Sequence, residues 1–319
     1  MILGIDIGGA NTKIASEDGK IVELHYIPLW KNTRLPQVLL DIAYRLKPEK
    51  AGVVITGELA DCFPDKETGL STIIDAVNNA FSDAYFLDSD GIFTKEKKRN
   101  IAAANWMASA LLVGSEYEDC IFVDIGSTTT DIIPIHNGIP HAARTDFGRL
   151  KNGELVYSGV LRTNIAALFK SVNLNGETCG ISSELFAISA DAYMVLGKIC
   201  ADQYTCDTPD GAEKTIVDAK RRLARVVCSD LTEIGESDIF SIANQVMEKQ
   251  VRDIKEALLI VAKGRHISKI VACGLGEFLA QKAAQECGFE VILLSEKYGT
   301  KLSKVFPAYA VAQLLGRYR

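Results

Sequence analysis

"LGIDIGGANTKIAS" at residues 3–16 is written a second time as "IFVDIGSTTTDIIPI" at residues 121–135. Asp6 falls on Asp124, Ile7 on Ile125, Gly8 on Gly126, Thr12 on Thr130 and Ile14 on Ile132, at constant spacing and without a gap. Each copy is an apolar run ending in aspartate, a glycine turn with small polar residues, and a second apolar run. That order reads as two strands joined by a tight turn. An internal repeat sets the architecture before any single element does.

Outward from the first copy, "KIVELHYI" is a third strand after the turn "EDGK". A helix follows in "LPQVLLDIAYRL", with Pro36 in its first turn. "AGVVIT", "ETGLSTIIDAVNNAF", "AYFLD" and "NIAAANWMASALLV" then alternate strand, helix, strand and helix. The second copy restarts the pattern with "DCIFVDI", "TDIIPIH" and "HAART" as three strands. A mostly helical insertion over about 150–237, including "GAEKTIVDAKRRLARVVCSD", interrupts it. The pattern resumes as the helix "DIFSIANQVMEKQVRDIKEALLIVAKG", the strand "SKIVACG", the helix "GEFLAQKAAQECG", the strand "FEVILL" and a helix within "FPAYAVAQLLGRY". Both halves thus carry one β-β-β-α order, and the fold class is α/β.

Composition narrows the function classes. The chain has 319 residues, long enough for two cores, since single cores stop growing near about 250–300 residues. With 48 % hydrophobic and 24 % charged residues it is an ordinary globular protein. The net charge is −6 and the longest Lys/Arg cluster, "KEKKR" at 95–99, is short and local, so no basic stripe of a nucleic-acid binder is formed. Asp6 interrupts the first apolar run and no basic segment precedes it, so no signal peptide is read there and a cytoplasmic protein is expected. The eight cysteines lack CxxC spacing and read as thiols; a metal set of Cys179, Cys200 and Cys206 fits no common zinc spacing. The four histidines, His25, His136, His141 and His266, form no metal motif.

The hairpin turns carry the chemistry. Glycine lets backbone approach a ligand closely, and successive N–H groups around such a turn cradle phosphate oxygens. Gly8, Gly9, Asn11 and Thr12 form one such set, and Gly126, Ser127, Thr128 and Thr129 the other. Lys13 adds charge if it faces the ligand, and strand alternation leaves that open. Asp6 and Asp124 repel phosphate, so their role is to hold Mg²⁺, which offsets the phosphate charge. Paired across a cleft, two such turns grip a polyphosphate from both sides. Gly274, Gly276 and Glu277 in "IVACGLGEFLA" form a third, weaker candidate for a nucleotide or phosphate.

These motifs resemble the actin-like ATPase superfamily of sugar kinases, Hsp70 and actin. "GIDIGGANTKIA" and "IFVDIGSTTTDI" match its two phosphate motifs, "IVACGLGE" its adenosine motif, and "NIAAANWMASALLV" and "FPAYAVAQLL" its connecting helices. The resemblance implies two ribonuclease-H-like domains, residues 1–115 and 116–305, the second holding the insertion, with the helix of 306–319 returning to the first. "VVITGELADCF" and "DFGRLKNGELVYSGVLRTNI" are similar to the hydantoinase A/oxoprolinase branch, and the short chain resembles members serving archaeal methanofuran biosynthesis.

That branch implies a transferase joining a furanmethyl diphosphate to γ-glutamyltyramine and releasing diphosphate. Its partners are small molecules, with neither nucleic acid nor membrane, and a homodimer is compatible. Arg144, Arg149 and Arg162 are then candidates for a γ-glutamyl carboxylate, or else staples of the insertion. Asp146 or Glu154 is the candidate acceptor of the phenol proton. An ATP-dependent hydrolase or a small-molecule kinase is the competing reading. A non-enzymatic nucleotide switch fits less well, because the insertion is modest in size.

Overall fold

A computed structural model of the chain describes residues 1–31, 34–97 and 99–318; Lys98 of the basic run "KEKKR" lies outside them. The first half contains β1 (Ile2–Gly8), β2 (Asn11–Ser16), β3 (Val22–Tyr26), α1 (Leu35–Leu46), β4 (Lys50–Thr56), α2 (Lys66–Ala80), β5 (Ala84–Leu87), β6 (Phe93–Thr94) and α3 (Asn105–Gly114). Its sheet runs β3-β2-β1-β4-β5-β6, with β1 to β3 antiparallel and β4 and β5 parallel to β1.

The second half opens with β7 (Cys120–Ile125), β8 (Thr130–His136), β9 (Ile139–Pro140), α4 (Asp146–Asn152) and β10 (Leu155–Val156). Then come α5 (Ile165–Leu168), β11 (Ser171–Leu174), β12 (Glu177–Gly180), α6 (Ser189–Val195) and α7 (Ile216–Val226). It closes with α8 (Glu236–Ala262), β13 (Lys269–Gly274), α9 (Glu277–Glu286), β14 (Glu290–Leu293), α10 (Leu294–Tyr298), α11 (Thr300–Lys304) and α12 (Phe306–Arg317). Its sheet runs β10-β8-β7-β13-β14, with β9 also on β8. In both sheets an antiparallel hairpin lies beside parallel strands, and the hairpins are the two copies of the repeat.

The strands follow from their burial. β7 is buried along its whole length, as expected for a central strand covered on both faces. One face of the first sheet packs Leu3, Ile5 and Ile7 under Leu39 of α1 and Ile73 of α2. Between the two sheets lies a shared layer, in which Trp106 of α3 and Phe306 of α12 meet Val54, Phe122 and Val271. α12 lies so close to β1 that a Cβ on Gly4 would fall 1.8 Å from the Ala308 carbonyl oxygen. The outer face of the second sheet packs against α6, α7, α8 and α9.

Several local expectations change. "HAART" is no strand: the third strand shrinks to β9, and β10 takes the neighbouring edge of β8 through Leu155↔Asp131 and Val156↔Thr130. The helix expected from Asn100 starts at Asn105, because Ala103 is left-handed at φ +54° and breaks it. The insertion is less helical than expected. It holds the β11–β12 hairpin, and its long helix begins only at Ile216, where the Thr215 side chain caps the Asp218 N–H.

Candidate active site

The two hairpins meet tip to tip: Asn11 Nδ2 donates to Ser127 Oγ at 3.1 Å. Beside this junction lies a cavity of about 380 Å³. Gly8, Gly9, Asn11 and Lys13 line it from the first hairpin, and Gly126, Ser127, Thr128 and Thr129 from the second. Thr12 does not: alternation along β2 turns it to the opposite face from Asn11 and Lys13, where it is buried.

A charged row lies at the base of the site; Asp6, Lys13 and Asp131 of it line the cavity, and Asp124 is buried beside them without lining it. Asp6 and Lys13 are cross-strand neighbours with Nζ and Oδ2 3.1 Å apart. Asp124 and Asp131 are the corresponding neighbours in the second hairpin. The repeat therefore places a lysine in one half where the other has an aspartate. Burial works against the Lys13 charge, but Asp6 and Asp124 outweigh it and hold its pKa above the usual lysine value. Asp124 is pushed up to about 6, first by burial and then by Asp131 and Asp6, with Lys13 opposing.

The second turn is fixed from behind. Val160 N–H donates to the Gly126 carbonyl, and Leu161 and Arg162 N–H both donate to that of Ser127. Gly159 permits this contact, since a Cβ there would fall 2.5 Å from the Thr128 nitrogen. Gln250 of α8 donates to Ser158 Oγ and to the Gly159 carbonyl, and accepts from the Tyr193 hydroxyl.

The insertion arginines separate. Arg162 lines the cavity, lies over the Trp30 ring at 4.4 Å and donates to Thr128 Oγ1. Arg149 also lines it, but is buried between Asp131 and Asp146 and over the Trp106 ring, so its charge is already matched. Arg144 stands outside the cavity and pairs with Asp90 at 3.1 Å. Asp146 lines the cavity from the first turn of α4. Glu154 does not; its Oε2 accepts the Ala143 N–H at 2.8 Å, which makes it a staple of the loop before α4.

Gly274, Gly276 and Glu277 are also away from this cavity. Gly274 packs directly under Asp124, Gly276 against Ile125, and Glu277 Oε1 accepts from Ser303 Oγ and the Ser295 N–H. Sequence reasoning missed Trp30, Leu59 and Tyr157, which give the mouth an apolar and aromatic wall. It missed Glu58 as well, a buried carboxyl whose Oε2 has no hydrogen-bond partner among the described residues. Its signal was position, directly after a buried strand in a glycine turn.

The donor chemistry suits magnesium. Asp6 Oδ1 and Asn11 Oδ1 are buried oxygens without partners among the described residues, and hard oxygen donors combined with phosphate are the usual magnesium environment. Among the described residues no cluster of three or more His, Cys, Asp or Glu side chains forms an all-protein metal cage. No helix among them is long and apolar enough to cross a membrane.

Paired sheets, each led by a hairpin and facing the other across a cleft, define the actin-like ATPase fold. Acetone carboxylase in its nucleotide-free structure shares that fold, with a TM-score of 0.54 and 15 % identity over 95 % of this chain. The present chain spans about half, 51 %, of the acetone carboxylase chain. Residues 49–318 match the hydantoinase/oxoprolinase family, and the chain belongs to it. It is 41 % identical, over 99 % of its length and 97 % of the relative's, to a Methanocaldococcus jannaschii protein. That protein is the (4-{4-[2-(γ-L-glutamylamino)ethyl]phenoxymethyl}furan-2-yl)methanamine synthase. The Methanococcus vannielii protein of the same name is 38 % identical over 62 % of this chain and 91 % of its own.

Proposed function

We propose that this protein is a diphosphate-releasing aryl ether synthase, which joins a furanmethyl diphosphate to the phenol of γ-glutamyltyramine. The observation that carries the reading is the 41 % identity, sustained over 99 % of the chain, to the M. jannaschii synthase. The cavity supports it, because it sets a phosphate cradle beside an aromatic wall.

The hairpin turns take the diphosphate, with Lys13 beneath them as a fixed positive charge. Asp6 and Asp124 would hold magnesium, which when bound offsets the charge of the leaving diphosphate. The furan ring stabilises positive charge on its methylene carbon as the carbon–oxygen bond to diphosphate breaks. The phenol oxygen then bonds to that carbon, and positioning supplies much of the acceleration. Trp30, Leu59 and Tyr157 provide surfaces for the two rings. Arg162, with no carboxylate partner among the described residues and braced on Trp30, is the arginine suited to the γ-glutamyl carboxylate.

Purified protein, magnesium and the two substrates, with ATP absent, are expected to give the ether and diphosphate in equal amounts, read by mass spectrometry and a diphosphate assay. Ether formation only with ATP, or ATP hydrolysis matched to product, favours a hydrolase or kinase instead.

A further inference from the structure

Beyond the two hairpins, the acidic side chains near the cavity include Glu58, Asp61, Asp146 and Glu154, of which Asp61 is exposed on the cavity wall. Asp146 is bound to Arg149, and Glu154 to the Ala143 N–H. Glu58 is different: it is 1 % exposed, stands just behind the cavity wall without lining it, and its Oε2 has no hydrogen-bond partner among the described residues. A buried carboxyl oxygen left without a donor costs free energy, so its retention calls for a use.

Its place is tightly set. Thr56 on one side of it, and Leu59, Ala60 and Asp61 on the other, all line the cavity. A Cβ on Gly57 would fall 3.1 Å from the Gly8 carbonyl, so this turn rests on the first phosphate turn. A Cβ on Gly69 would fall 2.3 Å from the Glu58 carbonyl oxygen, so α2 presses on its backbone from behind. Two charged groups act on the carboxyl, Asp146 from α4 and Lys66 from α2.

We propose that Glu58 is the general base of the ether synthesis, taking the phenol proton as the phenol oxygen attacks. This rests on the synthase reading above. The step balances: the O–H pair moves to form the oxygen–methylene bond, the proton goes to Glu58, and diphosphate leaves with the pair of the broken C–O bond. Glu58 then returns the proton to solvent. Burial first, then Asp146, pushes the carboxyl up to about 7, with its own N–H and Lys66 opposing. A base with a pKa near the working pH is the efficient choice.

The test is steady-state kinetics of the ATP-free reaction for wild type, Glu58→Gln and Glu58→Asp, together with calorimetric binding of inorganic diphosphate. Glu58→Gln is expected to lower kcat by about 100-fold or more with KM nearly unchanged. Diphosphate binding stays as in wild type, and Glu58→Asp recovers part of the rate. The wild-type rate rises with pH through about 7, and Asp146→Asn moves that rise to lower pH. Ether from the wild type, with kcat of Glu58→Gln within about threefold of it, overturns this proposal alone. If Glu58→Gln does not fold, a wild-type rate that is flat between about pH 5.5 and 8.5 overturns it equally. No ether from the wild type overturns the synthase reading and this proposal with it.

Discussion

Asp6, Lys13, Asp124 and Asp131 show how much one residue depends on its cross-strand neighbour. The aspartates at 6 and 124 were legible because the repeat names them twice. Their environments were not, since Lys13 stands beside one and Asp131 beside the other. Alanine at Asp6 or Asp124 is expected to abolish turnover while circular dichroism stays as in wild type; activity close to wild type in both would refute the cradle. The surroundings of Arg144 and Glu154 were not legible either, for a different reason. Charge type predicts an ion pair but not its partner, and packing gave Arg144 to Asp90 and Glu154 to a backbone N–H. Glu58 was overlooked because an acid in a loop looks solvated until α2 closes over it. Its raised pKa has a consequence for stability. Folding favours the protonated form, so the benefit is complete below the unfolded value of 4.5 and lost as pH rises through about 7. Glu58→Gln is therefore expected to be more stable than wild type at about pH 8, on the order of 1–3 kcal/mol, with no gain at about pH 4. Equal melting temperatures at the higher pH would contradict this.

Elements divide into those read from pattern and those set by contact. The strands of both hairpins, α1, α8 and α12 lie close to where periodicity put them, since each has a long apolar face to bury. The β11–β12 hairpin, α10 and α11 escaped, because four- and five-residue elements carry too little pattern. The late start of α3 turns on the backbone of Ala103, which no composition signals. Two close approaches make testable demands. Gly4→Ala drives a methyl into the Ala308 carbonyl and is expected to cost on the order of 1–3 kcal/mol or more in urea unfolding. An unchanged midpoint would mean that α12 does not sit against β1 as described. Gln250→Ala leaves the Tyr193 hydroxyl without its partner, while the Gly159 carbonyl keeps its bonds from Thr163 and Ser189, at about 1–3 kcal/mol. It is also expected to weaken diphosphate binding, because the 158–163 loop that holds the second turn loses one of its anchors. Binding equal to wild type would show that the loop needs no such support.

At the scale of the whole molecule, the halves are joined below the cleft by the buried layer of α3 and α12, and above it by smaller contacts. Those include Asn11 with Ser127, Arg144 with Asp90, Tyr26 and Lys31 with Asp207, and Arg162 over Trp30. Exposed pairs of this kind contribute roughly 0–1 kcal/mol each, so the buried layer below the cleft carries most of the connection between the halves. The repeat made this architecture readable, since equivalent hairpins on equivalent sheets face each other. The identity of the occupant was not readable from turns and glycines, which cradle any phosphate; it came from the family resemblance and the sequence of the M. jannaschii relative. What the two-sided cleft asserts is that both halves grip one diphosphate. Isothermal titration of inorganic diphosphate with magnesium into wild type, Asp6→Ala and Asp124→Ala tests this directly. We expect wild type to bind and each variant, one from either half, to bind at least about tenfold more weakly. No binding by wild type, or full binding by either variant, would contradict a diphosphate held between the two hairpins.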